Sequence, residues 1–192
     1  MSSVFVLLKY AALSVRLQAA VPALAPAAAH AHVVAAYEVA TEQVSPELLL
    51  AIAFVESRFD PTATSRVEGR VRRTGSYPST RPPAGLDTRA SLYCGPLQTF
   101  AASWGQCLAA RDLRVAYAAG VAEIQRWLGD RRVRGNVSRA LAGHGCGNFG
   151  VTSGSCNGYP GRVLGMEQRF QVGSARPHVA PSRGSSRALA SS

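Results

Sequence analysis

One carboxylate stands out by its neighbours. Residues 48–60 read LLLAIAFVESRFD, so an unbroken apolar run from Leu48 to Val55 leads directly into Glu56. An ionised carboxylate costs free energy in apolar surroundings, and the C-terminal end of a helix is the negative end of its dipole. Both effects favour a carboxyl that keeps its proton, which is the form a general acid uses. A salt bridge to Arg58 or another arginine is the ordinary alternative. Asp60 is the only other acid within a few residues. On a continued helix it would share a face with Glu56 as a second carboxylate, whereas Pro61 argues for a helix-end or turn residue.

Sulfur chemistry is the second candidate. The chain has four cysteines, Cys94, Cys107, Cys146 and Cys156. An even count in two local pairs suggests the disulfides Cys94–Cys107 and Cys146–Cys156, one of three connectivities. Four reduced, buried thiols are the other reading. Disulfides would imply export or an oxidising compartment. No C-x2-C or H-x3-H spacing accompanies the cysteines, so no zinc site or other metal is expected, and no cofactor.

The element that must position Glu56 is a helix with a well-marked start. Ser45 can cap it, Pro46 suits the first helical position, and Glu47 favours the positive end of the dipole. Being apolar on all sides, this helix is expected at the centre of a core and to end near Phe59–Asp60–Pro61. Before it, residues 21–30 read as a Pro/Ala linker and residues 31–44 as helical. After it, residues 62–92 are rich in Arg, Thr, Ser, Gly and Pro and predict a long loop or a small β-hairpin, too long for an idle connection. Residues 100–110 read as helical. Asp112 can cap a helix whose apolar positions Leu113, Tyr117, Val121, Ile124 and Leu128 recur at three or four. Asn136 can start a short helix through VSRALAG, a Gly/Ser/Asn/Cys loop follows at 145–158, and Pro160 opens a last helix to about Phe170. The fold class expected is mainly α-helical, with long loops and a small β-hairpin.

The 192 residues suffice for one domain with a substantial core plus a tail, and the formal net charge is +10. Such a balance favours polyanions: nucleic acid, anionic lipid or an anionic cell-wall polymer. Arginine and alanine enrichment from a GC-rich genome accounts for part of it equally well. No basic and aromatic interleaving points to specific nucleic-acid binding. No apolar stretch is long enough to predict a transmembrane span.

Three motifs, in order, resemble those of the lytic transglycosylases, the SLT domain of the lysozyme-like superfamily. The segment SPELLLAIAFVESRFDPTATS resembles the family's first motif, in which a hydrophobic helix ends in Glu-Ser and a short extended piece ends in Ser; here these are Glu56, Ser57 and Ser65. The family's Gly-Leu-Met-Gln is similar to GPLQ, Gly95 to Gln98. Its Ala-Tyr-Asn-x-Gly is similar to GHGCG, with His144 at the tyrosine position, Gly145 at the asparagine and Gly147 at the glycine. A late tyrosine resembles Tyr159. The resemblance spans roughly residues 44–170 and implies a lysozyme-like (goose-type/SLT) helical domain that cleaves the β-1,4 bond between N-acetylmuramic acid and N-acetylglucosamine. It implies Glu56 as catalytic acid and base, with Ser57, Ser65, Gln98, His144 and Tyr159 toward the substrate. Tyr93, Tyr159 and Trp104 could stack on sugar faces, with core packing the alternative for Trp104.

The domain division expected is an N-terminal apolar and Pro/Ala lead at 1–30, resembling a degenerate export signal, a lysozyme-like domain at 31–172, and a disordered basic tail at 173–192. The partner implied is the peptidoglycan glycan strand, met outside the cytoplasm or from a phage virion, by a protein whose simplest state is a monomer. A goose-type lysozyme-like hydrolase and a non-catalytic wall-binding or virion component are the alternatives.

Overall fold

The computed structural model describes residues 3–68, 71–82 and 92–171; the expected tail at 173–192 lies outside them. The described chain is mainly helical, with one small antiparallel sheet. Its helices are α1 (Ser3–Ala20), α2 (Pro26–Val39), α3 (Pro46–Ser57), α4 (Trp104–Ala109), α5 (Leu113–Leu128), α6 (Val137–Ser153) and α7 (Tyr159–Gln171). The strands β1 (Ala63–Glu68), β2 (Val71–Ser76), β3 (Leu92–Cys94) and β4 (Thr99–Ala101) lie between α3 and α4, in the order β2-β1-β3-β4.

Helix α3 starts as its sequence predicts. The Ser45 hydroxyl accepts from the Leu48 backbone N–H at 3.0 Å, and Pro46 opens the helix. Leu48, Leu49, Leu50, Ala51, Ile52 and Ala53 are all buried. An all-apolar helix needs partners on every side. The main core supplies them: Val33 and Ala36 from α2, Tyr117 and Ile124 from α5, Leu141 from α6, and Val163 and Phe170 from α7. A second bond clamps α3 to α7, where Ser45 Oγ donates to Glu167 Oε1 at 2.9 Å. The helix stops at Ser57 rather than nearer Pro61, because Arg58 and Phe59 both adopt left-handed backbone (φ 58° and 69°). The Arg58 N–H then closes on the last turn, meeting the Phe54 carbonyl at 3.1 Å.

Three boundaries differ from expectation. Helix α2 begins at Pro26, inside the expected linker, because proline suits a first turn and the alanines after it have the highest helix propensity. Residues 100 and 101, expected to open a helix, belong instead to strand β4. Its register pairs Leu92 with Ala101, Tyr93 with Phe100 and Cys94 with Thr99, so sheet pairing overrides local preference. Helix α6 continues through the expected loop to Ser153, with a break at Gly147, whose backbone (φ 59°, ψ −145°) suits glycine alone. The hairpin expected within 62–92 is present as β1 and β2, paired from Ala63↔Ser76 to Glu68↔Val71; residues 83–91 of that segment lie outside those described.

The N-terminal segment is part of the packing. Leu13 and Leu17 of α1 are fully buried, the Tyr10 ring lies 4.8 Å from that of Tyr37, and the Arg16 guanidinium donates to the Gln171 carbonyl at 2.6 Å. The lead expected at 1–30 therefore joins the helical core through α1 and the first turns of α2. Among the described residues, no helix is long and apolar enough to cross a membrane.

One buried polar group is a sensor of folding. His32 on α2 sits against Phe59 and Tyr117, its Nδ1 3.0 Å from the tyrosine hydroxyl. Burial pushes its pKa from 6.5 down to about 4, against a smaller upward pull from a hydrogen bond with the Phe59 backbone. The unfolded chain binds this proton near 6.5 and the folded chain only near 4. Its contribution is therefore fully present above 6.5 and is lost as pH falls toward 4, a difference on the order of 3 kcal/mol. Urea unfolding between pH 7 and pH 4 is expected to show that loss, and His32→Gln is expected to flatten it.

Candidate active site

Glu56 projects from the last turn of α3, and its side chain is only 8 % exposed. His144, from the buried face of α6, faces it, with Nε2 3.6 Å from Glu56 Oε1. The other ring nitrogen, Nδ1, lies 3.2 Å from Oε1 of Glu123 on α5. Three helices thus bring two carboxylates to the two edges of one imidazole. Tyr159, the first residue of α7, is buried beside them, its ring centroid 6.1 Å from that of His144.

Two clefts adjoin this group. The larger, about 380 Å³, is lined by Tyr93, Phe100, Glu123, Arg126, Trp127 and His144. The smaller, about 240 Å³, is lined by Val55, Glu56, Asn157, Tyr159 and Arg162. Gly145 and Cys146 line both, so the stretch just before the α6 break forms the ridge between them. Both cysteine pairs are disulfides. Cys146–Cys156 (Cα–Cα 5.7 Å) fastens that ridge to the start of α7, and Cys94–Cys107 (5.1 Å) fastens β3 to α4.

Glu123 is held charged despite its burial. Desolvation alone pushes its carboxyl up. A hydrogen bond with His144, together with the charge of Arg126 and a hydrogen bond from Trp127, works against that, and the carboxyl ends below the ordinary carboxylate value. The Arg126 guanidinium lies 4.1 Å above the Trp127 ring, on the same wall of the larger cleft.

Ser57, Ser65 and Gln98 occupy structural positions. The Ser57 hydroxyl donates to the Pro96 carbonyl at 2.9 Å, with the Ala53 carbonyl at 3.2 Å, and so ties the end of α3 to the GPLQ turn. Ser65 and Gln98 are both buried, and the Ser65 hydroxyl donates to Gln98 Oε1 at 2.5 Å. Gln98 Nε2 donates to the carbonyls of Ala63 and Gly95, each at 2.9 Å. The turn needs left-handed backbone at Gly95 (φ 74°) and Gln98 (φ 51°), and the glutamine side chain braces it against β1. The observed bonds of these three side chains go to the protein's own backbone and to one another.

Asp60 is a turn residue. Its Oδ1 accepts from the backbone N–H and the hydroxyl of Thr62, at 2.8 and 2.7 Å, which leaves it no place beside Glu56 on a helix. Trp104 packs in the small core under the sheet and donates its indole N–H to the Thr80 carbonyl at 2.9 Å, so it is no sugar platform. Tyr93 does reach the larger cleft, in edge contact with Phe100 at 6.1 Å between ring centroids.

Residues 34–86 match the family model of the transglycosylase SLT domain. No curated protein and no solved structure matches the chain. The SLT match holds Glu56 and Ser65 and stops before Gln98, His144 and Tyr159. The mainly helical fold with its small antiparallel sheet agrees with the lysozyme-like fold of SLT domains.

Reading the SLT motifs along the chain misses Glu123 and Phe100. A signal for Glu123 is present: an acid between Gly120 and Trp127, both on the buried face of α5. Reading the apolar positions alone passes over it. The bracing role of Gln98 is open to a direct test. Gln98→Leu strips partners from two carbonyls and a buried hydroxyl, and is expected to cost about 3 kcal/mol in urea unfolding while the helical circular dichroism persists.

Proposed function

We propose that this protein is a peptidoglycan-cleaving lytic transglycosylase acting on the β-1,4 bond between N-acetylmuramic acid and N-acetylglucosamine. The observation that carries the reading is Glu56. It lies within the SLT match, at the end of a buried apolar helix, and its side chain lines a cleft beside an imidazole.

Glu56 gives its proton to the glycosidic oxygen, the bond to C1 of the muramoyl residue breaks, and the N-acetylglucosamine hydroxyl departs. The Glu56 carboxylate then takes the proton of the muramoyl 6-hydroxyl. That oxygen closes on C1 to form the 1,6-anhydro ring. The proton count returns to its start and no water is consumed. One carboxylate serves both half-steps, whereas most glycosidases use two at the bond. Tyr93 and Phe100 offer aromatic faces along the larger cleft for sugar rings, and Asn157 and Arg162 offer polar contacts in the smaller. The net charge of +10 favours approach to an anionic wall polymer. Two disulfides support action in an oxidising place: periplasm, envelope, extracellular space or virion.

Mass spectrometry of sugars released from purified peptidoglycan is the test. Anhydromuramoyl ends are expected. Ends heavier by one water mean that water has replaced the 6-hydroxyl, as in a goose-type lysozyme. Glu56→Gln is expected to lower the release rate by at least about a hundredfold. A variant as fast as wild type overturns the assignment. Binding without release by the wild type supports a non-catalytic wall-binding protein instead.

A further inference from the structure

We infer that Glu123 is a positioning residue for the Glu56 acid, acting through His144: its carboxylate faces the Nδ1–H of the imidazole as an acceptor, keeps the ring proton on that nitrogen and leaves the Nε2 lone pair toward Glu56. This rests on the proposed role of Glu56.

The argument starts from the imidazole. A neutral histidine has one N–H and one lone pair, and the partner of one nitrogen decides what the other presents. An ionised carboxylate is an acceptor only. With Glu123 Oε1 at 3.2 Å from Nδ1, the hydrogen belongs on Nδ1. Nε2, 3.6 Å from Glu56 Oε1, then carries the lone pair. A lone pair facing Glu56 offers the O–H of the acid form an acceptor and offers the carboxylate no competing donor. An N–H facing it would hold the carboxylate and leave no proton for the leaving oxygen.

The charged and titratable groups around the imidazole favour this arrangement. Glu56 faces it from α3, Glu123 from α5 and Tyr159 from α7, while Arg126 of α5 and Tyr93 of β3 line the same cleft. The Arg126 cation helps to keep Glu123 ionised and opposes a second positive charge on His144. The His144 side chain is 2 % exposed, so bulk water contributes little to setting its tautomer. Glu123 is thereby committed to the imidazole and is not a second catalytic carboxylate at the bond.

The test uses the full chain with Glu123→Gln, which keeps the shape and removes the charge, and Glu123→Met, which removes the acceptor. Thermal melts establish that each variant folds. On peptidoglycan, kcat is expected to fall about tenfold or more for Glu123→Gln and further for Glu123→Met, with KM unchanged and the acid limb of the pH profile displaced. Nitrogen-15 NMR of labelled histidine is expected to show the Nδ1–H tautomer of His144 in the wild type, and deprotonation of that ring at lower pH in Glu123→Gln. Folded variants with wild-type kcat and pH profile overturn the inference, as does an Nε2–H tautomer in the wild type. A wild type that releases no product overturns the proposed function, and this role with it. That result is distinguished from failure of the inference alone by the missing wild-type rate.

Discussion

A helix with no polar face must be covered on every side, and much of this molecule follows from covering α3. Its apolar run can leave water only if helices close around it, and α2, α5, α6 and α7 each contribute side chains to that shell. A carboxylate placed at the end of such a helix inherits the geometry of the shell. Glu56 emerges where the packing opens into clefts, so it is nearly buried yet still lines a space that a ligand can enter. The same burial that makes an ionised acid costly there brings His144 and Glu123 around it, because every polar group in such a place needs a partner.

The sheet and the disulfides serve that helix end. The left-handed residues after Ser57 turn the chain sharply into β1, and the GPLQ turn closes back on it through Ser57, Ser65 and Gln98. On the far side, Gly147 breaks α6 just beyond His144, and Cys146–Cys156 holds the break against α7. A short rigid ridge results, with a cleft on each side. The glycine at 143 has a related use. A methyl group there would lie 2.6 Å from the Trp127 ring, so its absence lets α5 and α6 approach closely enough for Glu123 to meet His144.

Much of this was legible in the residues. The start of α3, the burial of its apolar run and the α5 cap at Asp112 follow from contacts within one or two helical turns. The disulfide partners are close in sequence, and both expected pairs are formed. Boundaries were less legible where distant partners decide. Residues 99–101 are a strand because β3 is there to pair with them, and α1 is a core helix because α2 and α7 cover Leu13 and Leu17. Gln98 shows the limit of motif reading most clearly. Its position was visible, but the bonds it makes are with the protein's own turn.

By itself, the sequence determined that an acid would sit at the end of an apolar helix and that the chain would be mainly helical, and it suggested two local disulfides without excluding free thiols. Each of these depends on neighbours along the chain: caps, spacing of apolar residues and short loop closures. Only the tertiary structure decided what faces the acid. Glu56, Glu123 and His144 lie on three different helices, and none of their spacings in the chain predicts that they meet. The packing of α3, α5 and α6 sets the two short distances at His144, and through them which edge of the ring carries the proton.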